Sequence, residues 1–208
     1  MTTSLLNSES VSEYVIGVDE SGTGAWAGSF YVCAVLARSD WGIPGLRDSK
    51  KTNARQRLRL VEQMEQELVL HFEGAASPED IVRYGHAGAY TRAFEDVVSR
   101  AKNYLPRGAG ALVIVDGLPQ RHLERVLDRL CLPRMFMKQA DNNVQHVSAA
   151  SIFAKFSRDM DMLALDTLYP QYKFAYNAGY GTADHIAAIE KHGYVENVHR
   201  PMIKRRRT

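Results

Sequence analysis

The chain has 208 residues, with 26 Lys and Arg against 24 Asp and Glu, a formal charge of +2, and 45% hydrophobic residues. This composition excludes a disordered chain, a collagen-like repeat and a low-complexity array, and the length suits one domain whose core needs no disulfide or metal staple. No apolar run reaches the length of a membrane span, the opening MTTSLLNSESVSE lacks the marks of a secretory signal, and Cys33 and Cys131 show no metal spacing; the expectation is a cytoplasmic monomer with two buried thiols and no membrane partner.

In chain order, YVIGVD (Tyr14 to Asp19) reads as a strand, SGTGAWAG (Ser21 to Gly28) as a glycine turn and FYVCAVL (Phe30 to Leu36) as a second strand. Leu58, Val61, Met64 and Leu68 recur near a helical period, which predicts a helix from Thr52, its candidate N-cap, to about Leu68. LVLHFEGA (Leu68 to Ala75) reads as a third strand. The spacing of Ala87, Tyr90, Phe94, Val97, Val98 and Ala101 predicts an amphipathic helix. ALVIVD (Ala111 to Asp116) is a continuous apolar run, as expected of a strand covered on both faces. A helix through Leu123, Val126, Leu127 and Leu130 follows, then a short strand RMFMKQ (Arg134 to Gln139), a long helix from about His146 to Leu168, and a short helix capped by Thr182. This order implies an α/β fold with a mixed sheet flanked by helices on both faces and a helical C-terminal part. One domain over 14–203 is expected, between a tail at 1–13 and a basic tail at 204–208.

Two strands end in acids, Asp19 (with Glu20 next) and Asp116, and Asp141 follows the short strand. A single acid at a strand end is most often a turn former. Acids leaving several strands of one sheet are harder to dismiss, because Asp19, Glu20, Asp116 and Asp141 would repel strongly if they converged, unless protonated or bridged by cations. Oxygen-only ligands select hard ions such as Mg²⁺ or Mn²⁺, and the scattered histidines offer no competing cluster. Two such ions about 3.5–4 Å apart serve phosphodiester cleavage by activating a water and stabilising the leaving oxygen. The glycine stretch leaves a dinucleotide-binding oxidoreductase open as another class, with Asp40 downstream as a ribose ligand; against it, a strand rather than a helix follows the glycines.

The near-neutral total charge does not announce a nucleic-acid partner. Its distribution does say something: Lys50, Lys51, Arg55, Arg57 and Arg59 crowd one segment, and Lys204 to Arg207 close the chain. A solvated face or loose tail accounts for either run, and added phosphate contacts by the terminal run are the alternative.

Six motifs together resemble the ribonuclease HII family, over about Tyr14 to Ile203. GVDESGTGAWAG resembles its opening GVDEAGRGPLAG, and LRDSKK (Leu46 to Lys51), VDG (Val115 to Gly117), KQAD (Lys138 to Asp141), VSAASIFAKFSRD (Val147 to Asp159) and YPQYKFAYNAGYGTADH (Tyr169 to His185) follow in the family's order. The resemblance implies a ribonuclease H-like fold with a mixed five-stranded sheet. It also implies a Mg²⁺- or Mn²⁺-dependent endonuclease, with two divalent cations, that cuts the RNA strand of RNA/DNA hybrids and ribonucleotides embedded in duplex DNA, a role in ribonucleotide excision repair. By motif, Asp19, Glu20, Asp116 and Asp141 fall on the catalytic metal ligands. Gly22, Thr23 and Gly24 fall on the loop whose backbone reads the ribose 2′-hydroxyl, Tyr180 on a tyrosine that stacks on the neighbouring sugar, and Ser49, Lys50 and Lys51 on a loop near the phosphates.

Thr23 stands where the family usually has arginine, and Ala25 where it has proline; such a loop is reminiscent of the sister ribonuclease HIII family. Losing that cation implies weaker discrimination for a single embedded ribonucleotide. A non-catalytic hybrid-binding protein is the alternative this departure motivates. Asp159 is either a further acid facing the site or a surface acid paired with a basic neighbour such as Lys155 or Arg158.

Overall fold

A computed structural model describes residues 12–46, 52–67 and 69–201. Five strands, β1 (Tyr14–Ser21), β2 (Phe30–Arg38), β3 (Leu70–Ala76), β4 (Ala111–Asp116) and β5 (Arg134–Met137), form one sheet in the order β3-β2-β1-β4-β5. β1 runs antiparallel to β2 and β2 to β3, whereas β1–β4 and β4–β5 are parallel. A short glycine-rich turn joins the antiparallel pair β1–β2, whereas the connection from β2 to β3 carries the helix at Ala54–Gln66 and the parallel pairs are likewise reached through helices. The mixed sheet expected from the sequence is the one observed.

Helices cover both faces. On β2, Val32, Ala34 and Leu36 share a core with Ile16 and Val18 of β1. That core also takes in Ala89, Phe94 and Val97 of α2 (Pro78–Asn103) and Leu123 and Val126 of α3 (Arg121–Arg129). The alternate residues Cys33 and Val35 face the other way. They pack with Val61 and Met64 of α1 (Ala54–Gln66) and Ala149, Ala150 and Phe153 of α5 (Gln145–Leu168). The period-two alternation of a strand sorts these residues into two separate cores. α5 lies directly on β1 at Gly17, where an added Cβ would sit 2.5 Å from the backbone nitrogen of Val147. Only a residue without a side chain permits that approach.

Several boundaries differ from the sequence reading. Asn53, not Thr52, caps α1: its side chain accepts from Gln56 N–H at 2.9 Å, and the Gln56 side chain accepts from Asn53 N–H at 2.9 Å. α2 starts earlier than its apolar pattern implies, at a Ser77–Asp80 capping box, and is interrupted by Gly85 at φ +71°, which throws the periodicity out of phase. β5 stops at Met137 because Gln139 takes a left-handed conformation (φ +57°) and turns the chain into the one-turn α4 (Ala140–Asn143). The C-terminal part comprises a 3-10 turn at Pro170–Tyr172, α6 (Phe174–Asn177) and α7 (Ala183–His192); Thr182 caps α7 as expected, accepting from His185 N–H. Cys33 is buried, but Cys131 is exposed, which corrects the expectation of two buried thiols. The basic tail at 204–208 and nearly all of the 1–13 tail lie outside the described residues. No helix among the described residues is long and apolar enough to cross a membrane.

Candidate active site

The parallel register aligns Val18 with Val115, so Asp19 and Asp116 leave adjacent central strands at the same level. Asp19 pairs with Cys33 across the antiparallel ladder and thus faces α5; Glu20, its chain neighbour, faces α2. Each acid meets a hydroxyl from the helix on its own side. Ser151 of α5 hydrogen-bonds Asp19, and the Tyr90 hydroxyl of α2 donates to Glu20 Oε2 at 3.1 Å. Because the acids stand at the sheet's end, both still reach one cavity of about 380 Å³, whose walls also include Asp116, Gly22, Thr23, Tyr180, Thr52, Arg57, Ser151 and Lys155.

Asp19 is buried. Desolvation, then the charge of Glu20 and more weakly that of Asp116, push its carboxyl up from 3.8 to about 8, against the hydrogen bonds from Ser151 and from Glu20 N–H. Asp116 Oδ1 accepts from Ala140 N–H at 2.7 Å, which ties β4 to α4. Asp141, one residue further, is fully buried, accepts from the Asn142 side chain at 3.2 Å, and takes the Ser148 hydroxyl on its backbone carbonyl. It is not part of the cavity wall. No group of three or more His, Cys, Asp or Glu among the described residues has the arrangement of a preformed metal cage. Asp19, Glu20 and Asp116 nevertheless suit a hard divalent ion in donor chemistry: the three residues line one cavity, and besides burial, the charges of Glu20 and Asp116 help hold the Asp19 carboxyl up, a repulsion that a cation would relieve.

The glycine loop is shaped by buried cations. Gly22 has φ +86°, and a Cβ there would meet the Arg158 side chain at 2.8 Å. Arg158, itself buried, donates to the carbonyls of Ser29 at 2.5 Å, Ala27 at 2.7 Å and Ala178 at 2.8 Å. The segment carrying Tyr180 is held to the same loop by Trp26 N–H to Gly179 O at 2.7 Å and Ala27 N–H to Gly179 O at 3.1 Å. Tyr180 is thereby left 43% exposed, a ring presented to the cavity rather than a core tyrosine. Gly24 is exposed and lies beside that ring, 4.0 Å from its nominal Cβ. Ser49, Lys50 and Lys51 lie outside the described residues.

The sequence reading did not single out Arg57 and Lys155 as cavity residues. Asp159 joins them: it pairs with Arg57 at 3.2 Å and with Lys155 one turn back, which resolves its two readings in favour of an ion-paired acid near the site. A signal was present. Ser148, Ser151, Lys155 and Asp159 recur at helical spacing in a helix otherwise rich in alanine and apolar residues, a polar stripe that must face something polar.

Mixed sheets of this order with helices on both faces are found in solved ribonucleases H. The structure superposes on a chain of the PCNA:RNase HII complex from Archaeoglobus fulgidus with a TM-score of 0.72 at 23% identity, covering 90% of this chain and 93% of that one. It superposes on ribonuclease H2 from Pyrococcus horikoshii with a TM-score of 0.70 at 23% identity, covering 91% and 93%. Bst-RNase HIII in complex with Mn²⁺ gives 0.71 at 19% identity, covering 92% of this chain and 67% of that one. The fold is that of the ribonucleases H. The family model for ribonuclease HII matches residues 16–206, and ribonuclease HII from Neisseria meningitidis serogroup B is 35% identical over 181 residues, 85% of this chain and 86% of that protein. The serogroup A protein is 34% identical over the same length. The chain belongs to the ribonuclease HII family, hydrolases with ribonuclease H endonuclease activity on RNA/DNA hybrids.

Proposed function

We propose that this chain, acting as a monomer, cuts the RNA strand of RNA/DNA hybrids and ribonucleotides embedded in duplex DNA, leaving 5′-phosphate and 3′-hydroxyl ends. The observation that carries this reading is one cavity lined by carboxylates from adjacent strands, a glycine loop, an exposed tyrosine and the cations Arg57 and Lys155. Such a cavity has oxygen donors for hard cations and positive charge for the phosphates that flank them.

In this reading Asp19, Glu20, Asp116 and Asp141 hold two divalent cations, Mg²⁺ or Mn²⁺. When bound, the pair supplies the activation of water and the neutralisation of the departing 3′-oxygen. Asp141 would join the other carboxylates from α4, which the hydrogen bond from Ala140 N–H to Asp116 Oδ1 holds beside β4. Ser151 and Tyr90 orient Asp19 and Glu20 through hydrogen bonds to their carboxylates. Lys155 and Arg57 bind the phosphate, the Gly22–Thr23–Gly24 backbone reads the 2′-hydroxyl, and Tyr180 stacks on the adjacent sugar; Ser49, Lys50 and Lys51 add phosphate contacts. The 2′-hydroxyl serves recognition and is not the nucleophile.

Thr23 offers the ribonucleotide no guanidinium, so a single embedded ribonucleotide is a poorer substrate than a long hybrid. One assay tests the whole reading: Mg²⁺- or Mn²⁺-dependent cleavage of an RNA/DNA hybrid, a duplex with one ribonucleotide, and plain DNA. The expected order is hybrid first, single ribonucleotide second and no cutting of DNA. Cutting of plain DNA overturns the specificity, and equally strong or stronger cutting at the single ribonucleotide overturns the role given to Thr23.

A further inference from the structure

The geometry points to His86 as a positioning residue for recognition of the 2′-hydroxyl, acting through the carbonyl of Thr23. This rests on the reading of the Gly22–Gly24 loop given above and adds to it the group that aims the loop.

The Thr23 carbonyl meets two side chains from outside its own loop. His86 Nε2 lies 3.0 Å away, from α2, and Arg200 Nη1 lies 3.0 Å away, from the C-terminal segment. A carbonyl oxygen has two lone pairs, and here each has a donor. The carbonyl of Thr23 and the N–H of Gly24 belong to one planar trans peptide, so they point in opposite directions. Drawing the carbonyl toward α2 and the C-terminal segment turns the Gly24 N–H the other way. Among the described residues that N–H makes no backbone hydrogen bond; the turn is closed instead by Ala25 N–H on Gly22 O at 3.2 Å.

An anchor is needed because this peptide has little else to hold it. Gly24 follows it directly and Gly22 lies one residue before, and glycine's wide range of backbone angles leaves the peptide plane loosely set. Thr23, unlike a long cationic residue, cannot hold a ligand across the cavity by itself.

The anchors are themselves prearranged. Phe30, fully buried, has the His86 ring centroid at 5.2 Å on one contact and the Arg200 guanidinium 5.6 Å from its centroid on another. Arg200 is also tied down by Nε donating to Gly28 O at 2.8 Å. His86 owes its direction to Gly85, whose positive φ breaks α2 immediately before it. Arg200 is buried within the fold, whereas His86 is half-buried and is the anchor that can be changed without emptying the core.

The test compares H86L, H86Q and H86N with the unaltered chain in Mn²⁺-dependent cleavage of an RNA/DNA hybrid. Binding of hybrid and of all-DNA duplex is measured in the D116N background, with unfolding midpoints as the folding control. H86Q keeps an amide N–H near the Nε2 position, and H86N is too short to reach. Loss of one hydrogen bond in the recognition loop is expected to raise KM for hybrid about fivefold in H86L and H86N, with kcat within about twofold and all-DNA binding unchanged, and H86Q restores the affinity. Should H86L fail to fold, H86N and H86Q carry the comparison. An unchanged KM in H86L or H86N, equal weakening of all-DNA binding, or no rescue by H86Q overturns the role of His86. Failure of the unaltered chain to cut hybrid overturns instead the reading of the loop on which the inference stands.

Discussion

The hydroxyl of Tyr90 donates to Glu20 Oε2 at 3.1 Å, from a ring 7% exposed and stacked between Phe30 and Phe94. Burial and the neighbouring carboxylate push this phenol well above its ordinary range, so it stays a donor at every working pH. Tyr90 fixes one rotamer of an acid whose strand neighbour points to the opposite face.

Replacing Tyr90 by Phe removes that donor and leaves the ring packing intact. The folded state should lose about 1 kcal/mol, and Glu20 should lose one of the groups that orient its carboxylate. A Mn²⁺ titration of the Y90F variant is expected to show half-saturation several-fold higher than in the unaltered chain, with maximal rate changed less.

Asp116→Asn retains an oxygen that can accept from Ala140 N–H, so the β4–α4 junction should survive. What disappears is the negative charge facing the cavity. Cleavage is expected to fall by about a thousandfold or more, on the order of 4 kcal/mol of barrier, with the unfolding midpoint nearly unchanged. Full activity in the folded variant would remove Asp116 from the ligand set.

Asp19 makes stability depend on pH in the unusual direction for a carboxylate. Its folded-state value of about 8 lies above the ordinary one, so the native state binds the extra proton between the two. The contribution is complete below about pH 4 and is lost as pH rises through about 8. With divalent ions chelated, thermal unfolding should show this loss, on the order of a few kcal/mol, over that window. Asp19→Asn should flatten it. Added Mg²⁺ or Mn²⁺ should stabilise the unaltered chain, with proton release measurable by calorimetry in two buffers.

Gly17→Ala places a methyl group against the backbone of His146 and Val147. Neither backbone can yield without lifting α5 from β1, so about 1–3 kcal/mol of stability should be lost. Activity should fall with it, because Ser151 and Lys155 ride on α5. Chemical denaturation and cleavage of the RNA/DNA hybrid measure the two effects on one preparation.

Arg57 is largely buried and shared between Asp159 and the cavity. Arg57→Ala should weaken hybrid binding and reduce the slope of log affinity against log salt by about one, the mark of one lost phosphate contact. Fluorescence anisotropy from low to moderate salt gives that slope directly.

The sheet was legible because strand runs such as ALVIVD and FYVCAVL have an unambiguous pattern, and glycines and prolines punctuate them. Boundaries were less so: Asn53 and Ser77 set helix starts by capping, a local hydrogen-bonding choice that apolar periodicity does not encode. Asp19, Glu20 and Asp116 stood out as acids at strand ends, and they line one cavity. Asp141 was grouped with them by the same pattern; the left-handed turn at Gln139 sets it in α4, next to the Ala140 N–H that donates to Asp116, and it does not line the cavity. The residues around the acids were not legible. Tyr90 fell on the apolar face of a helix and His86 lay just outside that pattern, yet one meets Glu20 and the other Thr23.

The order of residues alone therefore determined the elements, the mixed character of the sheet and the acids at its strand ends, because hydrophobic period and turn chemistry are local properties of the chain. The tertiary structure decided which side chains meet those acids. Ser151, Tyr90 and His86 reach them or their glycine loop, and Lys155 and Arg57 line the cavity they share, from three different helices; such placements depend on how helices pack across both faces of the sheet, at a sequence distance no local pattern spans.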